Sequence, residues 1–136
     1  MDFRIPRIYV ATLPMLLASF CIAAETYDEA EQKSLGHSTN AAEVEWYETQ
    51  MLPAFRKILV SATPNCLKAI GEDRPARVDF VFIVQAAGTV STVLWKEESA
   101  FSKCLQPAIV SAKYPEPLNK SFYFGVGFRL PPKRPT

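Results

Sequence analysis

The first 24 residues have the pattern of an export signal. Arg4 and Arg7 precede a stretch from Ile8 to Ala24 that contains no charged residue. A positive start, an apolar stretch and small residues at its end are typical of a secretory signal peptide. The small residues predict cleavage after Ala23, so residues 1–23 are expected to be removed. The alternative is an uncleaved anchor, because the stretch reaches the short end of the length that spans a bilayer.

The next segment, residues 24–39, is acidic, contains several Ser and Thr residues and has no apolar periodicity. Such a composition buries too little apolar surface to offset the entropy lost on ordering. The sequence therefore predicts a flexible acidic leader, in which His37, the one histidine of the chain, is mobile. At the opposite end, residues 133–136 are predicted to form a short basic tail.

Helical spacing begins at Asn40, where Asn40 to Glu43 has the spacing of a capping box. Apolar residues then recur at steps of three and four, which is typical of an amphipathic helix: Val44, Tyr47, Met51, Phe55, Ile58 and Ala62. Pro53 is expected to kink this helix or to begin a new one, because proline removes a helical hydrogen bond. Thr63-Pro64 predicts the start of a further short helix, which Gly71 ends.

Two strands and a hairpin turn are predicted after residue 75. The segment from Ala76 to Gln85 is rich in Val, Phe and Ile and is expected to form a central strand. The turn Ala86-Ala87-Gly88 connects it to a second strand from Thr89 to Trp95, giving a hairpin. The segment from Phe122 to Leu130 alternates apolar and other residues and predicts a closing strand.

A helix capped by Ser99 is predicted between the second and closing strands. Its apolar residues form one stripe: Phe101, Cys104, Leu105, Ala108, Ile109 and Ala112. Pro107 is expected to kink or break it. The predicted fold is therefore α+β, a small three-stranded antiparallel sheet covered by helices in the order helix, strand, strand, helix, strand. Residues 40–132 are expected to form one domain.

Cys66 and Cys104 are the cysteines that remain once a signal peptide is cleaved. An even number of cysteines in an exported chain predicts a structural disulfide. Closing a loop of about forty residues stabilises a fold by about 3 to 4 kcal/mol in the chain-entropy description. A redox-active thiol is disfavoured because the chain has no Cys-x-x-Cys spacing at these positions.

Composition narrows the functional classes. The chain has 136 residues and a formal net charge of +1, which offers no general attraction to nucleic acid or anionic lipid. Membrane contact is expected only through an uncleaved N-terminal segment. A single histidine and a cysteine pair in a disulfide do not supply a nucleophilic or metal site. The adjacent carboxylates Glu97 and Glu98 point to different faces. A protein without catalytic activity, cofactor or metal is expected.

The order of features from Cys66 to Leu130 resembles the TonB C-terminal domain family, including its cysteine-containing AgmX-type relatives. These features are a strand ending in Gly88-Thr89-Val90, a second strand, a helix with an inward Cys104, the corner Tyr114-Pro115-Glu116-Pro117 and an aromatic closing strand. The resemblance implies a non-catalytic periplasmic domain that binds an envelope protein or an extended peptide through the edge of its last strand. The chain lacks the Pro-rich spacer of energy transducers, so a free-standing binding or scaffold role is expected.

Two binding hypotheses follow. In the first, the closing strand is an exposed edge that captures a peptide, with Tyr123 and Arg129 contacting the partner. In the second, the protein is a small periplasmic inhibitor or immunity protein that neutralises an envelope-directed enzyme or toxin. It would do so through an exposed patch formed by the acidic leader with Trp46 and Tyr47. Burial of the tryptophan in the core is the competing interpretation for Trp46.

Overall fold

The computed structural model describes residues 24–133 and has the predicted α+β architecture. In chain order its elements are α1 (Tyr27–Gly36), a 3₁₀ turn (His37–Thr39), α2 (Ala41–Trp46), a π-helical turn (Tyr47–Met51), α3 (Leu52–Ile70), β1 (Arg77–Gln85), β2 (Val90–Trp95), α4 (Ala100–Ser111) and β3 (Ser121–Arg129). The signal peptide and most of the basic tail lie outside the described residues. No helix within residues 24–133 combines the length and the apolar character needed to cross a bilayer.

The sheet is antiparallel, with strand order β2-β1-β3. Its front face carries alternate residues of β1 and β3, and Phe82 lies opposite Phe124. The Phe55 ring of α3 packs on these two rings at centroid distances of 5.4 and 4.9 Å. The back face carries the intervening residues of β1, of which Val81 and Ile83 are also buried. The part of β1 around Val81 and Ile83 is therefore apolar on both faces and needs cover on both.

Helices α3 and α4 cover the front face, and the predicted disulfide joins them. Cys66 of α3 bonds to Cys104 of α4, with the Cα atoms 5.6 Å apart. The stripe predicted for α4 points inward, since Phe101, Leu105 and Ile109 are fully buried. The disulfide thus connects two helices that already share a core.

The prediction of a flexible leader is wrong, because most of that segment forms α1 and packs on the sheet. Thr26 caps α1 through a reciprocal capping box with Glu29, and Ala30 is fully buried. Ser34 lies against Gly125 of β3, where an added Cβ would be 2.9 Å from the Ser34 hydroxyl oxygen. The apolar back face of β1 explains the order, because a polar helix with few large side chains can still shield it from water.

The prolines have milder effects than predicted. Pro53 lies in the first turn of α3, directly after the π-helical turn, in agreement with the predicted new start. Pro64, by contrast, lies inside a continuous α3, and α4 runs through Pro107 without the break that was an expected outcome. Each proline costs its helix one hydrogen bond. Burial of Phe55, Cys66, Leu105 and Ile109 along the same helices offsets that loss.

The hairpin turn and the Tyr-Pro-x-Pro corner contact each other. Gly88 has a φ of +78°. Its carbonyl accepts a hydrogen bond of 2.9 Å from the Tyr114 N–H. The Tyr114 hydroxyl in turn donates to the carbonyl of Ile109 at the end of α4, at 3.0 Å. Burial raises the pKa of this phenol, which stays protonated as the donor. Two distant motifs of the sequence therefore form one structural unit.

Candidate functional site

Strand β3 lies at one edge of the sheet, since β1 is its one strand neighbour among the residues that the structure describes. In β1 the odd-numbered residues bond to β2, as shown by the Gln85 N–H donating to Thr89 and the Asp79 carbonyl accepting from Lys96. The register pairs odd with odd positions, so the odd residues of β3 direct their N–H and C=O groups away from the sheet. The outer positions are Ser121, Tyr123, Gly125, Gly127 and Arg129.

His37 closes one end of this edge. The Tyr123 N–H donates to His37 Nε2 at 3.1 Å, and the imidazole stacks on Phe122 with ring centroids 4.2 Å apart. The other ring nitrogen, Nδ1, forms a hydrogen bond with the carboxylate of Glu43. Glu43 is only 7% exposed and also accepts from the Asn119 side chain. The Glu43 N–H also donates to the side-chain oxygen Oδ1 of Asn40 at 3.1 Å, which caps α2.

The rest of the edge is open. Gly125, Gly127 and Arg129 are exposed, and within residues 24–133 no hydrogen bond reaches their outer N–H and C=O groups. We call the segment Gly125–Arg129 the open edge. The other edge strand, β2, is shorter and has α4 beside it, with Trp95 Nε1 donating to Gln106 of α4 at 2.8 Å. The open edge thus leaves the outer main-chain groups of three β3 residues without a hydrogen-bond partner in the described part of the chain.

An apolar groove runs between α3 and the open edge. It has a volume of about 370 Å³ and is lined by Leu59, Val60, Thr63, Pro64, Phe128, Arg129, Leu130 and Pro131. We call it the α3 groove. Val60 is 75% exposed there, which is unusual for an aliphatic side chain beside a core. Because Pro64 has no N–H, the Val60 carbonyl also lacks its usual helical donor.

Of the four residues predicted to contact a partner, Arg129 lies on the open edge and is exposed. The Tyr123 side chain is already engaged, since its hydroxyl donates to Glu25 at 3.1 Å and accepts from Lys33 at 3.3 Å. Tyr123 therefore anchors the N-terminal segment, and its predicted contact with a partner stays a prediction.

Trp46 is in the core, with 4% of its surface exposed and its ring 4.9 Å from that of Phe122. Tyr47 is half-buried over Phe124, and burial raises the pKa of its phenol. The exposed patch of acidic leader, Trp46 and Tyr47 does not form as predicted, because α1 packs on the sheet and Trp46 fills the front core. The inhibitor hypothesis loses the surface on which it was based.

A second cavity of about 290 Å³ adjoins the closed end of the edge and is lined in part by His37, Glu43 and Tyr47. Both nitrogens of His37 are used in internal hydrogen bonds. Within the described residues no group of three or more His, Cys, Asp and Glu is arranged to hold a metal ion. The hydrogen bonds of His37 hold the N-terminal segment against β3 at this end of the edge.

Replacing His37 tests this interpretation of the closed end. His37→Ala removes the acceptor for the Tyr123 N–H and one of the two side-chain partners of the buried Glu43 carboxylate, so we expect the free energy of unfolding to fall by about 2 kcal/mol. Urea unfolding measures the loss, and hydrogen exchange is expected to accelerate at the Tyr123 amide. Ser38→Ala, at a neighbouring exposed position, is the matched control. Equal losses for the two variants would contradict the role assigned to His37.

Sequence reasoning missed the contacts of His37 and the α3 groove. It singled out Arg129, which lies on the open edge, and the contact of Arg129 with a partner stays a prediction. The histidine gave no signal because it follows a segment without apolar periodicity, and the groove joins residues of α3 and β3 that are about 70 positions apart.

The α+β class and the disulfide are established by the structure. The resemblance to the TonB C-terminal domain family stays a prediction. Comparison with protein-family models, curated proteins and solved structures found no match to this chain.

Proposed function

We propose that this protein is a non-catalytic binding module of the cell envelope, similar to a TonB C-terminal domain, that takes an extended segment of another envelope protein onto its open edge as an additional strand. The observation that carries the proposal is the open edge beside the α3 groove. A free edge supplies main-chain hydrogen bonds to an extended peptide, and a neighbouring apolar pocket supplies side-chain selectivity.

Unpaired strand edges are a liability, and proteins usually cover, shorten or charge them. Here His37 covers Tyr123, whereas the three outer positions Gly125, Gly127 and Arg129 stay uncovered within the described residues. Only Arg129 places a charge on the open edge. This selective exposure supports a role in binding, because the same fold already has the means to block the edge.

The disulfide and the export-type N-terminus support a periplasmic setting. Disulfides persist in oxidising compartments and are rare in reducing ones. The link between Cys66 and Cys104 joins the two helices of the front layer, and it is consistent with a domain that works after export. The proposed partner is therefore another protein of the envelope, bound through an extended segment.

Peptide selection followed by amide hydrogen exchange tests the proposal. The purified protein is used to select binders from a displayed library of random linear twelve-residue peptides. When the selected peptides bind, we expect exchange at the outer amides of Gly125, Gly127 and Arg129 to slow at least about tenfold, because these N–H groups gain acceptors. Recovery of no peptide, or protection confined to β2 or to the cavity at His37, would contradict the proposal.

A matched pair of variants separates the main chain from the side chain at Arg129. Arg129→Ala removes the guanidinium, and Arg129→Pro removes it together with the outer N–H. Proline is tolerated at an edge strand where the lost N–H faces outward. We expect the proline variant to bind selected peptides about fivefold more weakly than the alanine variant, the effect of one hydrogen bond. Equal affinities with equal thermal stability would argue against strand addition.

A further inference from the structure

A row of charged side chains crosses the back face of the sheet toward the open edge. Arg77 of β1 lies directly opposite Arg129 of β3. The Arg77 guanidinium is held by Asp79, with Nε 2.9 Å from Oδ2 and 3.1 Å from Oδ1. These hydrogen bonds raise the pKa of Arg77 above its ordinary value. Arg77 is therefore neutralised locally.

Arg129 has no comparable partner. Within residues 24–133 no carboxylate lies within ion-pair distance of it. Like charges directly opposite one another on neighbouring strands are unfavourable, and Asp79 compensates for one of the two. The row consequently ends at the open edge in an exposed cation that lacks a counter-charge in the described part of the chain.

An added strand would continue both faces of the sheet. Its residue opposite Arg129 would place a side chain on the back face, about 5 Å from that of Arg129 across the strands. The residues before and after it would point to the front face, because side chains alternate. There they would meet the α3 groove at Phe128, Leu130 and the exposed Val60.

We infer that the open edge selects extended segments of a partner protein in which an acidic residue stands immediately beside an aliphatic one. The carboxylate pairs with Arg129 on the back face, and the aliphatic side chain fills the α3 groove on the front face. None of the described residues that line the groove is acidic. A groove of about 370 Å³ accommodates a Leu, Ile or Val side chain. This inference rests on the proposed function and assigns the chemistry of the partner.

The sequences of the selected library peptides test it first. We expect acidic–aliphatic pairs to be enriched among the peptides that protect the Gly125, Gly127 and Arg129 amides. In the tightest such peptide, changing the acidic residue to its amide should weaken binding about threefold at low salt, the range of an exposed ion pair. Changing the aliphatic residue to Ser should weaken it about thirtyfold, because the buried apolar contact is lost.

Matched variants of the protein assign the two preferences. Arg129→Gln should remove the preference for the carboxylate over the amide, whereas Lys103→Gln, an exposed base on α4, should leave it unchanged. Val60→Ser should reduce the preference for the aliphatic residue, whereas Val110→Ser, also exposed on α4, should not. Loss of both preferences in the control variants as well would overturn the assignment.

The outcomes separate this inference from the proposed function. If no peptide is selected, or the outer amides stay unprotected, the proposed function fails. If selected peptides protect the open edge but lack acidic–aliphatic pairs, strand addition stands and the inferred chemistry is wrong. If the outer amides are protected without any peptide and the mass measured by light scattering doubles with concentration, a second copy occupies the edge. That result also overturns the inference.

Discussion

Replacing Cys66 and Cys104 together by Ala is expected to lower the free energy of unfolding by about 3 to 4 kcal/mol. The disulfide spans 38 positions, and opening it restores to the unfolded chain the loop entropy that the link had removed. The folded state also loses two sulfur atoms, and Cys66 is 3% exposed. For a domain of this size the loss is a large share of the total stability. Urea unfolding of the oxidised wild type and the double variant measures it.

Reduction of the wild type provides the control for packing. Dithiothreitol opens the bond but keeps both sulfur atoms in the core between α3 and α4. We expect most of the loss to appear on reduction alone, with only a small further loss in the Ala variant. The double variant should be insensitive to the reductant. If reduction lowers the free energy of unfolding by less than about 1 kcal/mol, the disulfide does not stabilise the fold through the loop entropy of the unfolded chain.

The strands, the hairpin and α4 could be predicted because each carries its own local pattern. The segment Arg77–Gln85 is rich in β-branched and aromatic residues, and Gly88 follows at the turn. Helix α4 begins at Ser99 with a capping box and presents one apolar stripe. The disulfide could be predicted from the even number of cysteines that remain after the expected cleavage and from the oxidising compartment that the export signal predicts. In these segments local preference and tertiary burial agree.

Helix α1 could not be predicted in the same way. Within Tyr27–Gly36 only Ala30 is buried, so the segment has almost no hydrophobic period of its own. What orders it is the back face of β1, where Val81 and Ile83 need cover. The sequence does contain the capping signal at Thr26 and Glu29. A capping box followed by a polar helix is evidence for order that apolar periodicity alone misses.

Only the part of the candidate site that lies on β3 could be predicted from the sequence. The closing strand and the exposed Arg129 follow from alternation along β3. One end of its edge is covered by His37, and Val60 lines the α3 groove beside it; both residues are distant in sequence from β3. Alternation along one strand predicts which residues lie on each of its two faces. It does not predict which residues of other elements approach its edge.

Gly88→Ala is expected to destabilise the fold by about 3 kcal/mol or more, because two effects add. The φ of +78° is strained for any residue with a Cβ. An added Cβ would also overlap the Tyr114 carbonyl oxygen and lie 3.2 Å from the carbonyl carbon. These are backbone atoms, held by the hydrogen bond from the Tyr114 N–H to Gly88. The corner therefore has to move away from the hairpin for the methyl group to fit.

Gly71→Ala is the matched control, since Gly71 also has a positive φ, of +60°, but a Cβ there meets nothing within 4 Å. We expect this variant to lose about 1 to 2 kcal/mol, the cost of the backbone conformation. Urea unfolding of both variants measures the difference, and the amide resonance of Tyr114 should shift only in Gly88→Ala. Equal losses would mean that the hairpin and the Tyr-Pro-x-Pro corner are not packed as one unit. The excess loss at Gly88 thus measures the contact that joins the two motifs.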